Sequence, residues 1–589
     1  MRECGRWAVP LIAFLLCYGS TATGAPIIQL AIDVGFDGYL VPRTWTPLRI
    51  DVTAQTAVDG VLVVDVAEAG GVRRAYRYPV RLVEGARQQV HADVVIPDPR
   101  YPLTVRVLQG EDELGRKTLP LGGARAVDGV VVVLARSASG LEFLTTFSGR
   151  LRPAYIREEA LPVRWQSYEG VSAVVIHDLD DNRLLPTQRE ALREWLAQGG
   201  RLLVTGGDFL ATVKSRWLLD LLPGVPLGVS ASQILPGFAG LTGPLNLALV
   251  RPRPGAKVEP DPGRPHTLQW RYGRGTVILW TFDAFAPQLR TSADVIAKWR
   301  ATLTDPIGSS SANRSLAELL PNVPDLPGTV QVGIALAVGA YIVALRWALR
   351  IATRRRGWLT GATIGVVVGA LLYGTAVGAR ESVAVLAQVS LVEVIPEVEL
   401  ARVSTAVVLH APFGGPFHLV APPQATIRPL TGPTVNRFGA AAEVEGRTAF
   451  PSAERFELVQ VVPFAVRGTI GPTPRGLQVE IENASGLLIR QPVIYFAGQI
   501  YPVPDIQTHA AVVLDPTRWE AIDRQRTLGE DLASRLRQWT FVRLGHDVII
   551  RPDQTVLIGW VDDARLAVRS PQAQRGSTAS LLVVPLAAR

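Results

Sequence analysis

Two long apolar runs constrain this chain more than any motif in it. Val330 to Leu349 is broken only by Gln331 and by Arg346 near its end, and Trp358 to Ala379 carries no charge. Each approaches the ~20 residues that a helix needs to cross a hydrocarbon core. The expected element is a two-helix transmembrane hairpin, with spans 329–351 and 358–379 and an arginine-rich connector at 352–357. Glycine and alanine in both runs allow close helix approach, and Trp347 and Trp358 suit the headgroup region. Arg346, Arg350, Arg354, Arg355 and Arg356 cluster at the turn of the hairpin. The positive-inside rule places that turn in the cytoplasm and both flanking regions outside it.

The start of the chain agrees with this topology. Arg2 and Arg6 precede a short apolar stretch, Val9 to Tyr18, and small residues follow up to Gly24 and Ala25. Residues 1–25 read as a secretory signal. Both cysteines, Cys4 and Cys17, fall inside it. The rest of the chain therefore has no thiol, which removes disulfides, cysteine metal ligands and cysteine nucleophiles together. The net charge of +8 is concentrated in the connector and the signal. It reflects topology and does not describe a nucleic-acid surface.

At 589 residues the chain is expected to hold several domains. Residues 26–125 alternate apolar and polar residues in short runs separated by Asp59-Gly60 and Gly70-Gly71, the pattern of a β-sandwich. Residues 126–310 change character. Gly129 to Leu134 and Val171 to Ile176 are continuous apolar runs suited to buried parallel strands. A helix is expected between Leu184 and Gln198, ended by Gly199-Gly200. Further strands are expected at Arg201 to Thr205 and Thr276 to Trp280, so this region reads as an α/β doubly wound domain. Residues 311–328 form a proline-rich linker. Residues 380–589 return to β-type alternation, with one helix expected over Leu528, Leu532, Leu536 and Trp539, and read as a C-terminal β-sandwich region.

The stretch Leu161-Pro162 through Trp165 to Leu196, then Gly199 to Gly207, resembles the class I glutamine amidotransferase-like (flavodoxin-like) domain. More particularly it is similar to the version found in bacterial membrane-anchored proteins that lack the catalytic cysteine. Tyr341 through Thr360 and Val389-Ser390-Leu391-Val392 resemble the same group. The resemblance implies an amidotransferase-like fold and a place in the bacterial cytoplasmic membrane, with the N- and C-terminal domains extracytoplasmic, in the periplasm or at the cell surface. It implies no catalytic residue, because active members use a cysteine nucleophile and none follows Cys17.

The remaining chemical signals gather where ligands bind in open α/β sheets, beyond the strands' carboxyl ends. His177, Asp178 and Asp180 follow one strand, Gly206, Gly207 and Asp208 a second, and Asp283 a third. These seven are the candidate ligand-binding residues. Asp180, Asp181 or Asn182 could equally cap a turn, and Gly206-Gly207 lacks the full glycine pattern of a dinucleotide site. No second ligand near His177 completes a zinc site, and no nucleophile elbow surrounds Ser137 or Ser139. Asn483-Ala484-Ser485 matches a glycosylation acceptor, a pattern short enough to arise by chance. No catalytic constellation, metal or cofactor is expected.

The function expected is that of a non-enzymatic, exported, membrane-anchored scaffold of the cell envelope that binds a ligand or an envelope protein partner. The lipid bilayer is a second partner, and nucleic acid is not one. The alternative is an extracytoplasmic hydrolase or transferase that uses the carboxylates Asp178, Asp180 and Asp208.

Overall fold

The computed structural model describes residues 28–320 and 384–588, apart from 123–125, 136–139, 148–150, 178–182, 214, 233–243, 260–265, 291, 305–315 and short stretches beyond 411. Between 321 and 383 it describes only Gly339, Ile342, Val343 and Arg346, and between 515 and 554 only Leu536.

The first strands follow the alternation of the sequence. β1 (Ile28–Val34), β2 (Trp45–Ala54) and β5 (Arg87–Val95) form a three-stranded antiparallel sheet in the order β1-β2-β5. Along β2, Leu48, Ile50 and Val52 are buried in alternation with half-buried Arg49 and Asp51, as a period of two requires. β3 (Val58–Ala67), β4 (Arg73–Leu82), β6 (Leu103–Gln109) and β7 (Asp112–Leu119) belong to a second sheet. That sheet is not closed by the N-terminal residues alone. Its other three strands come from residues 415–448.

Next comes a mixed seven-stranded sheet. Its strands are β8 (Gly129–Leu134), β9 (Leu151–Ile156), β10 (Val171–Ile176), β11 (Arg201–Thr205), β14 (Lys257–Glu259), β15 (Thr267–Tyr272) and β16 (Gly275–Trp280), in the order β14-β15-β16-β11-β10-β8-β9. The pairs from β9 to β16 are parallel, and the β15 and β14 pairings are antiparallel. β12 (Gly224–Ser232) and β13 (Leu245–Pro252) form a separate antiparallel ribbon. One face of the large sheet packs with Leu192, Trp195 and Leu196 of the helix Pro186–Ala197. The other packs with Val295, Trp299 and Leu303 of the helix Ala293–Thr304.

The last region builds β17 (Val385–Val394), β18 (Leu400–Ala411), β19 (Gly415–Val420), β20 (Thr426–Pro429), β21 (Thr434–Phe438), β22 (Ala442–Thr448) and β23 (Ser452–Pro463). β17 is buried along its whole length, because both its edges and both its faces are covered. β18 pairs with it antiparallel, and the strand Gln574–Pro585 pairs with it parallel. Its polar Gln388 is satisfied in place: Nε2 donates to Ser390 Oγ and to Leu566 O, and Oε1 accepts from Val568 N–H. β17, β18, β20 and β23 lie in one eight-stranded sheet. β19, β22 and β21 instead leave it and complete the N-terminal sheet, in the order β19-β22-β21-β4-β3-β6-β7.

The seam is the parallel pair β4–β21, with Asn436 opposite Tyr76 and Arg437 opposite Arg77. Phe438 ends β21 among aromatic rings of the N-terminal strands, stacked on Tyr78 at 4.8 Å and edge-on to Trp45 at 6.3 Å. The Arg164 guanidinium lies 5.4 Å from the Phe438 ring centroid. Tyr78 Oη donates to Asp93 O at 2.5 Å and accepts from Asp93 N–H at 2.9 Å. Ser167 Oγ donates to the Asp93 carboxylate, and Glu169 accepts from Trp45 N–H and pairs with Arg428. Residues from all three regions thus meet at Phe438, Asp93 and Glu169. A second contact joins the β15–β16 turn to β17: Arg274 lies 3.5 Å from Glu393, whose side chain is buried, while that of Arg274 is largely covered.

This architecture corrects the expected fold class. The chain is dominated by strands, and the region expected to be a doubly wound, amidotransferase-like α/β domain is a mixed sheet. Its connections explain the difference. Among the described residues, a four-residue helix lies between β8 and β9, 3-10 turns lie between β9 and β10, and between β11 and β16 the path includes the ribbon and β14–β15. Among the described residues of these connections, a three-turn helix occurs in the β10–β11 connection alone, whereas a wound α/β domain repeats that unit at each crossover.

The transmembrane helices are corrected as well. Among the described residues no helix is long and apolar enough to cross a membrane, a statement about helices alone. The spans 329–351 and 358–379 and the connector arginines lie outside the described residues, except for Gly339, Ile342, Val343 and Arg346, which are helical and exposed. The expected placement in a bacterial cytoplasmic membrane, with extracytoplasmic flanks and lipid as a partner, rested on that hairpin and loses its basis. Of the helix expected over 528–539, only Leu536 is described, helical and fully buried.

Candidate functional site

The parallel strands deliver a cluster of polar residues to their carboxyl ends. β10 ends at Ile176, so the next residue, His177, leaves the sheet at its edge, where its N–H donates to Leu134 O of β8 at 3.0 Å. β11 ends at Thr205 and β16 at Trp280. His177 Nδ1 lies 3.0 Å from Thr205 Oγ1 and 3.3 Å from Asp283 Oδ1. Its ring packs on Phe285 with centroids 4.5 Å apart. Asp283 Oδ1 also accepts from the Phe285 N–H at 2.8 Å, which fixes the turn after β16.

Gly206 and Gly207 lie between β11 and a short helix, Asp208–Thr212. A Cβ on Gly206 would stand 2.6 Å from the Thr281 carbonyl, so no larger residue fits there. Gly207 has φ +68°, a conformation that favours glycine. Both N–H groups donate to backbone carbonyls, Gly206 to Phe282 and Gly207 to Thr281, each at 3.0 Å. They are therefore not aimed at an anion. Asp208 accepts from Asn246 Nδ2 at 3.1 and 3.0 Å, one bond to each carboxylate oxygen.

The structure thus gathers five of the seven sequence candidates: His177, Gly206, Gly207, Asp208 and Asp283. Asp178 and Asp180 lie outside the described residues. Three members escaped the sequence. Thr205 reads as the end of a strand, and no motif points to Phe285. Asn246 arrives from the β12–β13 ribbon, and nothing near it in sequence announces the contact. Among the described residues no group of three or more His, Cys, Asp or Glu side chains is placed to hold a metal ion.

Chemically, the cluster ties strand ends together. A hydroxyl–imidazole–carboxylate relay needs the hydroxyl on one ring nitrogen and the carboxylate on the other. Here both Thr205 and Asp283 approach Nδ1, so the arrangement is not a relay. The possible glycosylation acceptor is also structural. Asn483 is buried, and its Nδ2 donates to Leu487 O at 2.7 Å and to Gln507 O at 3.0 Å.

Residues 27–122 match a family model described as "Domain of unknown function (DUF8726)". The match covers β1 to β7, the N-terminal part of the shared β assembly. No curated protein matches the chain. A solved structure, a Paenibacillus sp. cycloisomaltooligosaccharide glucanotransferase complexed with cycloisomaltoheptaose, aligns at 10% identity over 72% of this chain and 69% of that chain, with a TM-score of 0.16. A score so low carries no argument about fold or activity. None of these matches falls on an amidotransferase-like domain, and that resemblance is not carried further.

Proposed function

We propose that this chain is a non-enzymatic scaffold that binds a protein partner or a small ligand. One observation carries the reading: the polar groups at the carboxyl edge of the parallel strands are engaged with one another. His177, Thr205 and Asp283 share a contact, Asp208 holds Asn246, and the Gly206 and Gly207 N–H groups hold the β16 turn. Each bond joins segments distant in sequence, which is what a rigid display surface requires. The seam at Phe438 adds to this, because it ties the N-terminal region and the region beyond residue 384 into one sheet. The charge distribution favours protein or small-molecule partners over nucleic acid.

The test is crosslinked affinity purification of the full-length chain from its native cells, with mass spectrometry, alongside His177→Gln and Asp208→Asn. A stoichiometric partner retained by both folded variants supports the scaffold. Loss of a measurable turnover in either variant, with folding intact, would replace it with a hydrolase or transferase acting at this edge.

A further inference from the structure

The ribbon of β12 and β13 turns an apolar face to solvent. Val225 is 39%, Leu227 64% and Leu249 48% exposed, and the strand register sets them side by side. Val225 stands opposite Arg251 and Gly228 opposite Leu249, with Leu227 as the extra residue where the register shifts. The alternate residues Ala248 and Val250 are buried in the core, so Leu249 and Arg251 point away from it. Other exposed large apolar residues, such as Val83, Leu185 and Leu430, lie elsewhere in the chain. Single apolar residues are ordinary on a surface, whereas a contiguous set marks a contact.

Charge says what kind of contact it is. Neither strand contains an acid. Arg251 is exposed beside Val225, and among the described residues no acid forms an ion pair with it. The next arginine, Arg253, is anchored in the body of the protein: its guanidinium lies 5.2 Å from the Trp270 ring centroid and donates to Leu219 O at 2.8 Å. Whatever covers the face therefore brings its own carboxylate to Arg251.

Size and backbone narrow the occupant. Three apolar side chains are too few for a stable dimer of this chain, which needs roughly 800 Å² from each partner. One unpaired arginine also falls short of the about four to eight basic residues that hold an anionic membrane. Pro226 and the register shift at Leu227 spoil the outer edge of β12 for strand addition. A short segment lying across the face fits all three conditions.

We propose that the outward face of the β12–β13 ribbon docks a short protein segment, which lays apolar side chains on Val225, Leu227 and Leu249 and a carboxylate against Arg251. The inference rests on the scaffold reading and gives its protein partner a place. Asn246 of the same ribbon holds Asp208, so the docking face is fixed to the carboxyl-edge cluster.

Fluorescence polarisation of the labelled peptide Ser-Leu-Ser-Leu-Ser-Glu-Ser with the full-length chain tests this, against the same peptide with lysine for glutamate. In an extended peptide both leucines and the glutamate share one side. The wild type should bind the glutamate peptide more tightly, by up to about fivefold, the factor that one exposed ion pair supplies. Arg251→Glu should reverse that order. Leu227→Ser and Leu249→Ser should each weaken both peptides, and Val83→Ser should change neither. All four side chains are exposed, so the variants should keep the wild-type Tm. The proposal is overturned if the order survives in Arg251→Glu, if both serine variants of the ribbon bind like the wild type, or if neither peptide binds. Binding to phosphatidylglycerol vesicles without peptide binding would overturn it in favour of lipid. The turnover loss that would end the scaffold reading is scored on His177→Gln and Asp208→Asn, so the two failures are told apart.

Discussion

Phe438 lies face to face with Tyr78, ring centroids 4.8 Å apart and planes 3° from parallel. One residue closes β21, in the region beyond residue 384, and the other lies in the N-terminal region. Their stack is the centre of a junction that also holds Trp45, Tyr76 and Arg164.

Phe438→Ala should therefore cost about 3 kcal/mol or more, the range for truncating a buried phenylalanine, with aromatic contacts contributing to it. Phe438→Leu should cost less. Urea unfolding followed by tryptophan fluorescence reads both, and a loss below about 1 kcal/mol for the alanine variant would mean that the junction carries little load.

Breaking the Arg274–Glu393 pair should be costly, since removing one partner of a buried ion pair leaves the other charge uncompensated. Glu393→Gln is expected to destabilise by about 3 kcal/mol, measured by the same unfolding. A neutral result would show that Arg274 finds water.

Glu194, half-buried on the helix Pro186–Ala197, has its carboxyl raised from the ordinary 4.5 to about 7, first by burial and then by Glu190. A carboxyl raised in the folded state favours folding fully below its unfolded value and loses that contribution as pH rises through the folded one. Glu194→Gln should thus be more stable than the wild type at pH 8, with the difference fading toward pH 4.5. Tm measured across that range checks the sign, and a difference that grows toward acid would contradict it.

At the carboxyl edge, Gly206→Ala should destabilise by about 2 kcal/mol or more, because its Cβ would collide with the Thr281 carbonyl at 2.6 Å. His177→Ala should cost about 1–2 kcal/mol through the lost Thr205 and Asp283 contacts. Indifference to both changes, read by thermal unfolding, would remove the structural role assigned to the cluster.

Individual strands are legible in the sequence wherever burial is uniform or alternates. Gly129–Leu134 is wholly apolar, Val171–Ile176 is apolar but for Ser172, and β2 alternates with a period of two. What joins them is less so. The pairing of Arg77 with Arg437 leaves no periodicity, because register between distant strands is set by packing rather than by local pattern. The same holds at the site. His177, Gly207 and Asp283 follow strands and could be found by position, whereas Asn246 reaches Asp208 from a ribbon with no such cue. The doubly wound expectation failed because strand patterns carry no information about whether a helix fills each connection.

The central claim is that the N-terminal region and the region beyond residue 384 share one sheet through β4 and β21. Hydrogen–deuterium exchange on the wild type and on Phe438→Ala tests it most directly. The amides of Tyr76–Tyr78 and Asn436–Phe438 should be protected together in the wild type and lose protection together in the variant. Fast exchange across β21 in the wild type, or loss confined to β21 while β4 stays protected, would contradict it.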